Sequence, residues 1–239
     1  MINSVINHSV VDLSDSNLSH SDIFNYISKM DSDNKINFIY LGSREYNDTW
    51  KLQKEIHESV KNNHLADLVL YLEHSHVYTL GKNADSNFIL NNYPEDVEIV
   101  NTDRGGQVTY HGPGQLVGYP IINLNNYKQS ITWYMRLLEE IIMGTLRDYN
   151  IPSNRKEGLA GVWIEDEKIC AMGVRLSRWV SMHGFALNLK PNMKYYDGMI
   201  PCGIQEFGIT SIYEYLDRDI GICELIDVVT NNFIEKFKV

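Results

Sequence analysis

The sequence predicts a single α+β domain in which helices flank a mixed, largely antiparallel sheet. From Ile36 onwards, strand-like and helix-like segments alternate without an obvious linker. Hairpins outnumber strand–helix–strand crossovers, which argues against a doubly wound parallel sheet. A chain of 239 residues with 44% hydrophobic side chains can bury one substantial core. No period of 20–50 residues repeats along the sequence, which excludes a solenoid. We therefore expect one compact domain over residues 35–239.

Residues 1–34 differ in composition from the rest and are predicted to be an extension. Five Asp and one Lys leave this segment with a charge of −4, and it is rich in Ser and Asn. It lacks the basic and apolar regions of a signal or transit peptide. Ile23, Tyr26, Ile27 and Met30 share a helical face behind two candidate N-cap residues, Ser19 and Ser21, which favours a short docked helix over complete disorder.

Apolar runs bounded by turn residues predict the strands, and apolar spacing of three to four residues predicts the helices. Ser130 is placed to cap the longest helix. The predicted helices are Tyr46–Val60, Ile131–Tyr149 and Glu224–Phe237. The predicted strands are Ile36–Leu41, Asp67–Glu73, Val77–Leu80, Val97–Val100, Gln107–Tyr110, Leu116–Leu124 and Val180–Leu189, with a hairpin of Val162–Glu165 and Lys168–Leu176 around an Asp166-Glu167 turn.

Charge and cysteine content narrow the function classes. The net charge of −10 disfavours a duplex nucleic-acid binder, and no stretch approaches the ~20 apolar residues that span a bilayer. Cys170, Cys202 and Cys223 are far apart and form no CxxC pair, which favours a reducing compartment over a disulfide framework or zinc site. We expect a cytoplasmic protein, and a monomer, that binds neither nucleic acid nor membrane.

The densest unusual segment is Arg104–Gln115, in which four glycines alternate with polar and aromatic side chains. Tight turns alone would explain glycine and proline but not the Arg, Thr, Tyr and His between them, so we interpret the segment as a ligand loop. It matches neither a phosphate loop nor the dinucleotide GxGxxG spacing.

Cys202 is held between Pro201 and Gly203, unlike Cys170 and Cys223, which fall in apolar segments. A thiol in a rigid turn can act as a nucleophile if a nearby cation stabilises the thiolate, although position alone leaves an inert turn residue equally open. The candidate partners are Lys168, His111 and His183, and Lys168 by itself could equally be a solvated strand-start lysine. His74 and His76 would share one strand face, and we interpret both as structural because no acidic ligand stands beside them.

Taken together, these motifs closely resemble the octanoyltransferases of lipoate biosynthesis, the lipoyl(octanoyl) transferase or lipoate-protein ligase B family, over about Ile36 to Val239. The matching runs are Glu73-His74, Val77–Gly81, Arg104–Gln115, Gly118-Tyr119-Pro120, Gly161-Val162-Trp163, Lys168-Ile169, His183–Asn188, Pro201–Ile204 and Thr210-Ser211.

The resemblance implies the biotin/lipoyl-ligase catalytic-domain fold and transfer of an octanoyl chain from acyl carrier protein to the lysine of a lipoyl domain, in 2-oxoacid dehydrogenases or the glycine-cleavage H protein. It implies Cys202 as the residue acylated as a thioester and Lys168 as its partner, with neither ATP nor a metal as cofactor. The substrate contacts that it implies are Arg104, Gly105, Gly106, Gln107, Val108, Thr109, Tyr110, His111, Ala171, Met172, Gly173, Gly184, Phe185 and Ala186.

The sequence departs from the family pattern at Ser75-His76, where a Pro-Pro pair is usual, and at Cys170, where alanine is usual. We expect an apolar slot for the eight-carbon chain, with walls near Tyr110, Val77–Leu80 and Phe185–Leu187. The alternative is an ATP-dependent lipoate- or biotin-protein ligase of the same fold, which would use a lysine without a cysteine thioester. A binding module without activity and a cysteine hydrolase are further alternatives.

Overall fold

A computed structural model of the chain describes residues 10–30, 35–200 and 207–238. Four helices and twelve strands lie in these ranges. The helices are α1 (His20–Ile27), α2 (Tyr46–Lys61), α3 (Ile131–Asp148) and α4 (Ile222–Phe237). The strands are β1 (Val10–Asp12), β2 (Ile36–Arg44), β3 (Asp67–His74), β4 (Val77–Leu80), β5 (Glu98–Asn101), β6 (Val108–His111), β7 (Gln115–Ile121), β8 (Asn154–Lys156), β9 (Leu159–Ile164), β10 (Glu167–Ser177), β11 (Val180–Asn188) and β12 (Gly208–Ile209).

Nine of the described strands form one mixed sheet in the order β1-β2-β3-β7-β11-β10-β9-β8, with β12 paired to β10. Strands β1, β2 and β3 run parallel to one another, whereas the pairs from β3 to β9 are antiparallel. A smaller sheet has the order β5-β4-β6. The predicted mixed, largely antiparallel α+β fold is confirmed.

Helices cover both faces of the large sheet, which produces two apolar cores. Helices α3 and α4 pack on one face through residues such as Leu138, Ile142 and Phe233. Helices α1 and α2 pack on the other face through residues such as Ile23 and Ile56. Because each strand buries side chains on both sides, the central strands are apolar almost throughout, which explains why they were recognisable as uninterrupted runs.

The structure extends or shifts several predicted elements. Strand β2 continues to Arg44, β7 ends at Ile121, and the turn between β9 and β10 is formed by Glu165 and Asp166 instead of Asp166 and Glu167. Glu165 adopts a left-handed conformation with φ of 49°, which accounts for the tight reversal at this position. Short strands β1, β8 and β12 were not predicted, because two or three residues carry too little periodicity to be detected.

In the predicted extension, the described residues 10–30 contact the domain. Strand β1 pairs with β2, and α1 begins with a capping box in which the Ser19 hydroxyl and the Asp22 carboxylate accept from each other's backbone N–H. Ile23 and Ile27 are buried in the core beneath α1. These residues therefore contribute a strand and a helix to the packed structure.

Four short 3-10 helices connect the main elements in the described ranges, at Ser86–Phe88, Leu124–Asn126, Met193–Gly198 and Ile212–Tyr215. The third precedes the segment that contains Cys202. Leu90 N–H donates to the carbonyl of Gly198 at 2.9 Å, and Ile200 N–H donates to the carbonyl of Phe88 at 2.8 Å. These bonds attach the chain to the neighbouring loop up to Ile200. Cys202 itself lies outside the described residues.

Candidate active site

A narrow cleft lies between the two sheets. Its floor is a pair of antiparallel segments, Ala171–Gly173 of β10 and Gly184–Ala186 of β11, whose residues pair one to one. A Cβ on Gly173 would lie 2.7 Å from the Gly105 carbonyl oxygen, and a Cβ on Gly184 would lie 2.2 Å from the Gly118 carbonyl oxygen, so these two glycines permit close packing of neighbouring backbone segments. The remaining lining residues are Tyr46, Arg104, Thr109, His111, Tyr119 and His183.

Arg104 holds the glycine-rich loop against the small sheet. Its buried guanidinium donates to the Thr79 carbonyl at 2.5 Å, to the Thr79 hydroxyl at 2.8 Å and to the Gln107 carbonyl at 2.8 Å. Gly106 lies inside this arrangement with φ of +92°, a conformation that L side chains rarely adopt. Residues Arg104–Gln107 thus form a turn in which the guanidinium of Arg104 donates hydrogen bonds to the carbonyl groups of Gly105 and Gln107.

The predicted contact residues of this loop have different positions. Arg104, Thr109 and His111 line the cleft, and Val108 lines a neighbouring pocket. Tyr110 is fully buried in an apolar cluster with Tyr78 and Leu80, so it lies outside the cleft lining. Gly105, Gly106 and Gln107 precede β6 and are also absent from that lining. All of the predicted contacts from Ala171–Gly173 and Gly184–Ala186 line the cleft.

His111 presents a defined tautomer to the cleft. Its Nδ1 lies 2.9 Å from the amide oxygen of Gln115, which can only accept, so Nδ1 carries the proton and Nε2 is left as an acceptor. Burial, together with the proximity of His74, keeps the pKa of His111 well below its ordinary value. His111 is therefore a neutral hydrogen-bonding group at ordinary pH.

His74 and His76 occupy different environments, contrary to the predicted common strand face. His74 ends β3 and is fully buried, where its Nδ1 donates to the Arg44 carbonyl and its Nε2 accepts from the Tyr119 hydroxyl, both at 2.8 Å. Burial lowers the pKa of His74 to about 4. His76 precedes β4 and stacks on Tyr195 with ring centroids 3.8 Å apart. Ser75 separates the two histidines by turning the chain into the small sheet.

His183 is a cleft residue that the sequence suggested only as a possible base. Its Nε2 donates to Asp103 at 2.8 Å, and Asp103 also pairs with Arg175. Burial lowers the pKa of His183 despite this carboxylate. His183 pairs with Val174, which is six positions from Lys168 along β10, or about 20 Å at 3.3 Å per residue. At this separation of the two backbones along the strands, we expect no direct proton transfer between the side chains of His183 and Lys168.

Lys168 lines a second, small pocket and is only 5% exposed. Its ammonium nitrogen is 4.6 Å from the centroid of the Trp163 ring, within the range of a cation–π interaction. Thr109 and Ala171 line both this pocket and the cleft. The fold thus brings Lys168 to the end of the cleft that is marked by these two residues, although Lys168 and Thr109 are far apart in sequence.

The described residues around the Cys202 segment also lie beside Lys168. Met199, which precedes the segment, lines the same pocket, and so does Ile209, which follows it. Ile209 is also the register partner of Lys168 in the β10–β12 pair. Cys170 lies two residues from Lys168 but is fully buried, and burial raises the pKa of its thiol.

Two features do not occur in the described part of the chain, a metal-binding cluster and a membrane-spanning helix. Residues 10–30, 35–200 and 207–238 contain no cluster of three or more His, Cys, Asp or Glu side chains arranged to hold a metal ion. None of the helices in the described part of the chain is long and apolar enough to cross a bilayer.

Comparison with known proteins identifies the family. Residues 45–234 match the model of the lipoyl protein ligase A/B catalytic domain. The chain belongs to this family. The octanoyltransferase of Flavobacterium johnsoniae is 42% identical over 224 residues, which cover 83% of this chain and 97% of that protein. The octanoyltransferase of Christiangramia forsetii is 41% identical over 219 residues, covering 83% of this chain and 94% of that protein.

These relatives show that this member of the lipoyl protein ligase A/B family is an acyltransferase. A solved structure of the same fold is the bi-partite lipoate protein ligase of Thermoplasma acidophilum. It superposes with a TM-score of 0.65 at 14% identity and covers 87% of this chain and 85% of that one. At this low identity, the likeness concerns the fold alone.

The sequence did not single out Tyr46 and Tyr119 as lining residues. They come from the start of α2 and from the middle of β7, in segments whose pattern is that of ordinary core elements. Tyr119 lies in the Gly118-Tyr119-Pro120 run that carries the family resemblance, but no substrate contact was predicted for it. The local signal of Tyr46 was only an aromatic residue on a buried helix face, which most core helices share. Their position at the cleft depends on how the two sheets pack.

Proposed function

We propose that this enzyme transfers an octanoyl group from the thioester of an acyl carrier protein to the lysine of a lipoyl domain, with Cys202 as the acylated residue and Lys168 as its cationic partner. The observation that carries the proposal is the connection between the cleft and the Lys168 pocket through Thr109 and Ala171. A chain bound along the cleft would have its carboxyl end directed toward a buried lysine. Relatives named octanoyltransferase supply the acyl length.

The cleft has the chemical character that an acyl chain needs. Burial of each methylene contributes ~0.8 kcal/mol, so an eight-carbon chain gains several kcal/mol from an apolar slot. Met172, Phe185 and Ala186 provide apolar surface on the floor. Two polar groups of the wall, Arg104 and His111, are engaged with protein partners, whereas the buried Nδ1 of His183 has no hydrogen-bond partner among the described residues.

The proposed reaction has two acyl transfers. The thiolate of Cys202 attacks the octanoyl carbonyl, a new C–S bond forms, and the carrier thiolate leaves and takes up a proton. The acceptor lysine then attacks as a neutral amine, the amide C–N bond forms, and the thiolate of Cys202 leaves. The ammonium of Lys168 stabilises the thiolate and exchanges protons with the leaving and attacking groups.

Because the donor and the intermediate are both thioesters, the first transfer is close to thermoneutral, and we propose that neither ATP nor a metal takes part. The acceptors that we propose are the lipoyl domains of 2-oxoacid dehydrogenases and the glycine-cleavage H protein. A lipoate protein ligase of related fold has been described together with an E2 lipoyl domain. That protein provides a precedent for acceptors of this class.

Intact mass spectrometry tests the proposal. Incubation with octanoyl-carrier protein should add about 126 Da to the wild-type enzyme, the increment of one octanoyl group in a thioester. Cys202→Ala should show no adduct, whereas the control Cys170→Ala, which removes a buried thiol, should be acylated like the wild type. Full transfer activity in Cys202→Ala would contradict the mechanism.

Lys168→Met provides the second test because it retains the length of the side chain and removes the charge. We expect a loss of about 100-fold or more in acyl-enzyme formation with the fold retained, since an activated nucleophile loses its partner. Near-normal turnover would reject Lys168 as the partner. Release of free octanoate without modification of an acceptor lysine would instead identify a hydrolase.

A further inference from the structure

A buried hydrogen-bond network centres on Asn188, the last residue of β11. The side-chain oxygen of Asn188 accepts from the Tyr196 hydroxyl and from the amide nitrogen of Gln115, both at 2.9 Å. Its amide nitrogen donates to the carbonyl of Thr210 at 2.9 Å. Asn188 is 3% exposed and Gln115 is 1% exposed, so these bonds are shielded from water. The Thr210 carbonyl can only accept, so it faces the amide nitrogen of Asn188 and leaves the side-chain oxygen of Asn188 toward Tyr196 and Gln115.

The partners of Asn188 lie on both sides of the segment that contains Cys202. Tyr196 belongs to the 3-10 helix Met193–Gly198, which precedes that segment. Thr210 directly follows β12, on the other side of it. The N–H of Thr210 donates to the carbonyl of Lys168 at 3.1 Å. A single side chain therefore connects the two flanking stretches with each other and with the backbone of the proposed catalytic lysine.

The same network reaches the cleft. Gln115 pairs with Asn188 across β7 and β11, and its amide oxygen fixes the tautomer of His111 in the cleft wall. Asn188 and Tyr196 also line the Lys168 pocket. Most core positions at the end of a strand are apolar, and an amide with three buried partners is costly to leave unsatisfied. The network is therefore expected to be rigid, because displacing one of its side chains would leave buried polar groups of the others without hydrogen-bond partners.

We propose that Asn188 is a positioning residue that holds the two stretches flanking the Cys202 segment, Met193–Gly198 and residues 208–210, beside Lys168, with Gln115 and Tyr196 as its supports. The inference rests on the proposed function, in which the thiol of Cys202 and the ammonium of Lys168 act together. Asn188 acts through Tyr196 and Thr210 and not by contact with the acyl group. Its loss should therefore slow acyl-enzyme formation and leave donor binding largely unchanged.

Three variants distinguish the hydrogen bond between Asn188 and Tyr196 from the one between Asn188 and Thr210. Tyr196→Phe removes the link to the preceding stretch, and Asn188→Asp retains that link but places a carboxylate oxygen against the Thr210 carbonyl. Asn188→Ala removes both links. Because a displacement of about 1 Å can cost about 100-fold in rate, we expect Asn188→Ala to lose about 100-fold in single-turnover acylation, and each of the other two variants to lose less. KM for octanoyl-carrier protein should change less than threefold, about the error of such comparisons.

A second measurement follows the thiol itself. The rate of iodoacetamide alkylation, measured on the peptide that contains Cys202, should fall together with the acylation rate. The control is Asn232→Ala, which also removes a buried asparagine, one that bonds to Asp148 and Val228 between α3 and α4. This control should lower the melting temperature at least as much as Asn188→Ala and should retain wild-type alkylation and acylation.

The outcomes distinguish the inference from the function on which it rests. If wild-type enzyme forms no adduct at Cys202, the proposed function fails. Suppose that the wild type is acylated and that Asn188→Ala folds. The positioning role is then wrong if the variant is acylated and alkylated within twofold of the wild-type rates, or if its loss of activity lies wholly in KM. Should Asn188→Ala not fold, wild-type rates in Tyr196→Phe would equally overturn it.

Discussion

Asp67 at the start of β3 should make the protein less stable as the pH rises. The side chain is 5% exposed, and burial raises its pKa to about 7, although the Asn123 N–H and the Tyr127 hydroxyl both favour the ionised form. The unfolded chain ionises near the ordinary value of 3.8. Between these two values the folded state holds a proton that the unfolded state has released. Stability is therefore lost progressively as the pH rises from about 4 to about 7.

Asp67→Asn removes this titration and resembles the protonated carboxyl in shape. At 1.36 kcal/mol per pKa unit, the difference in unfolding free energy between variant and wild type should grow by about 3 kcal/mol between about pH 5 and about pH 8. Any constant cost of the amide is present at both pH values and cancels. The acid-side contribution of His74, whose buried ring must stay neutral, is common to both proteins and cancels as well.

Equilibrium urea unfolding followed by tryptophan fluorescence measures this difference. Tyr127→Phe is a useful companion variant, because loss of the hydroxyl should raise the pKa of Asp67 further and extend the loss of stability to higher pH. If the difference between Asp67→Asn and wild type stays constant within about 0.5 kcal/mol from pH 5 to pH 8, Asp67 does not ionise in this range and the reasoning is wrong.

Two further predictions concern the cleft and its neighbourhood. A methyl group on Gly118 would lie 2.2 Å from Cζ of Phe185. Gly118→Ala should therefore displace this ring, raise KM for octanoyl-carrier protein and destabilise the fold by about 1–3 kcal/mol. The matched control is Gly221→Ala, because a methyl group there meets no atom within 4 Å. Unchanged kinetics in Gly118→Ala would show that Phe185 does not shape the acyl site. Burial raises the pKa of the Cys170 thiol, so Cys170 should resist alkylation in the folded enzyme, and rapid modification of its peptide would contradict its burial.

Much of the fold could be predicted because its elements are long and apolar. The helix predicted from Ile131 begins there and is capped by Ser130, whose hydroxyl accepts from the N–H of Trp133. The order of strands was beyond prediction, since β3 pairs with β7 and β7 with β11 across long loops. Nothing in a local period of two residues indicates which distant strand is the partner.

Buried charge is the second feature that pattern analysis did not detect. Glu139 in α3 falls among apolar neighbours in sequence, yet it is 3% exposed and accepts from both Arg136 and Arg155. In sequence it resembles any solvated glutamate on a helix. Only the position of Arg155 beside α3 makes its burial tolerable, because a buried carboxylate needs a partner.

The sequence by itself determined the elements, the family resemblance and the residues to which the resemblance assigns chemistry, Lys168 and Cys202 among them. The tertiary structure decided which residues line the cleft, that His183 lies about 20 Å along the strands from Lys168, and that Asn188 joins Tyr196 to Thr210. The physical reason is that periodicity and capping act over a few residues, whereas a site depends on strand pairing and burial between distant segments.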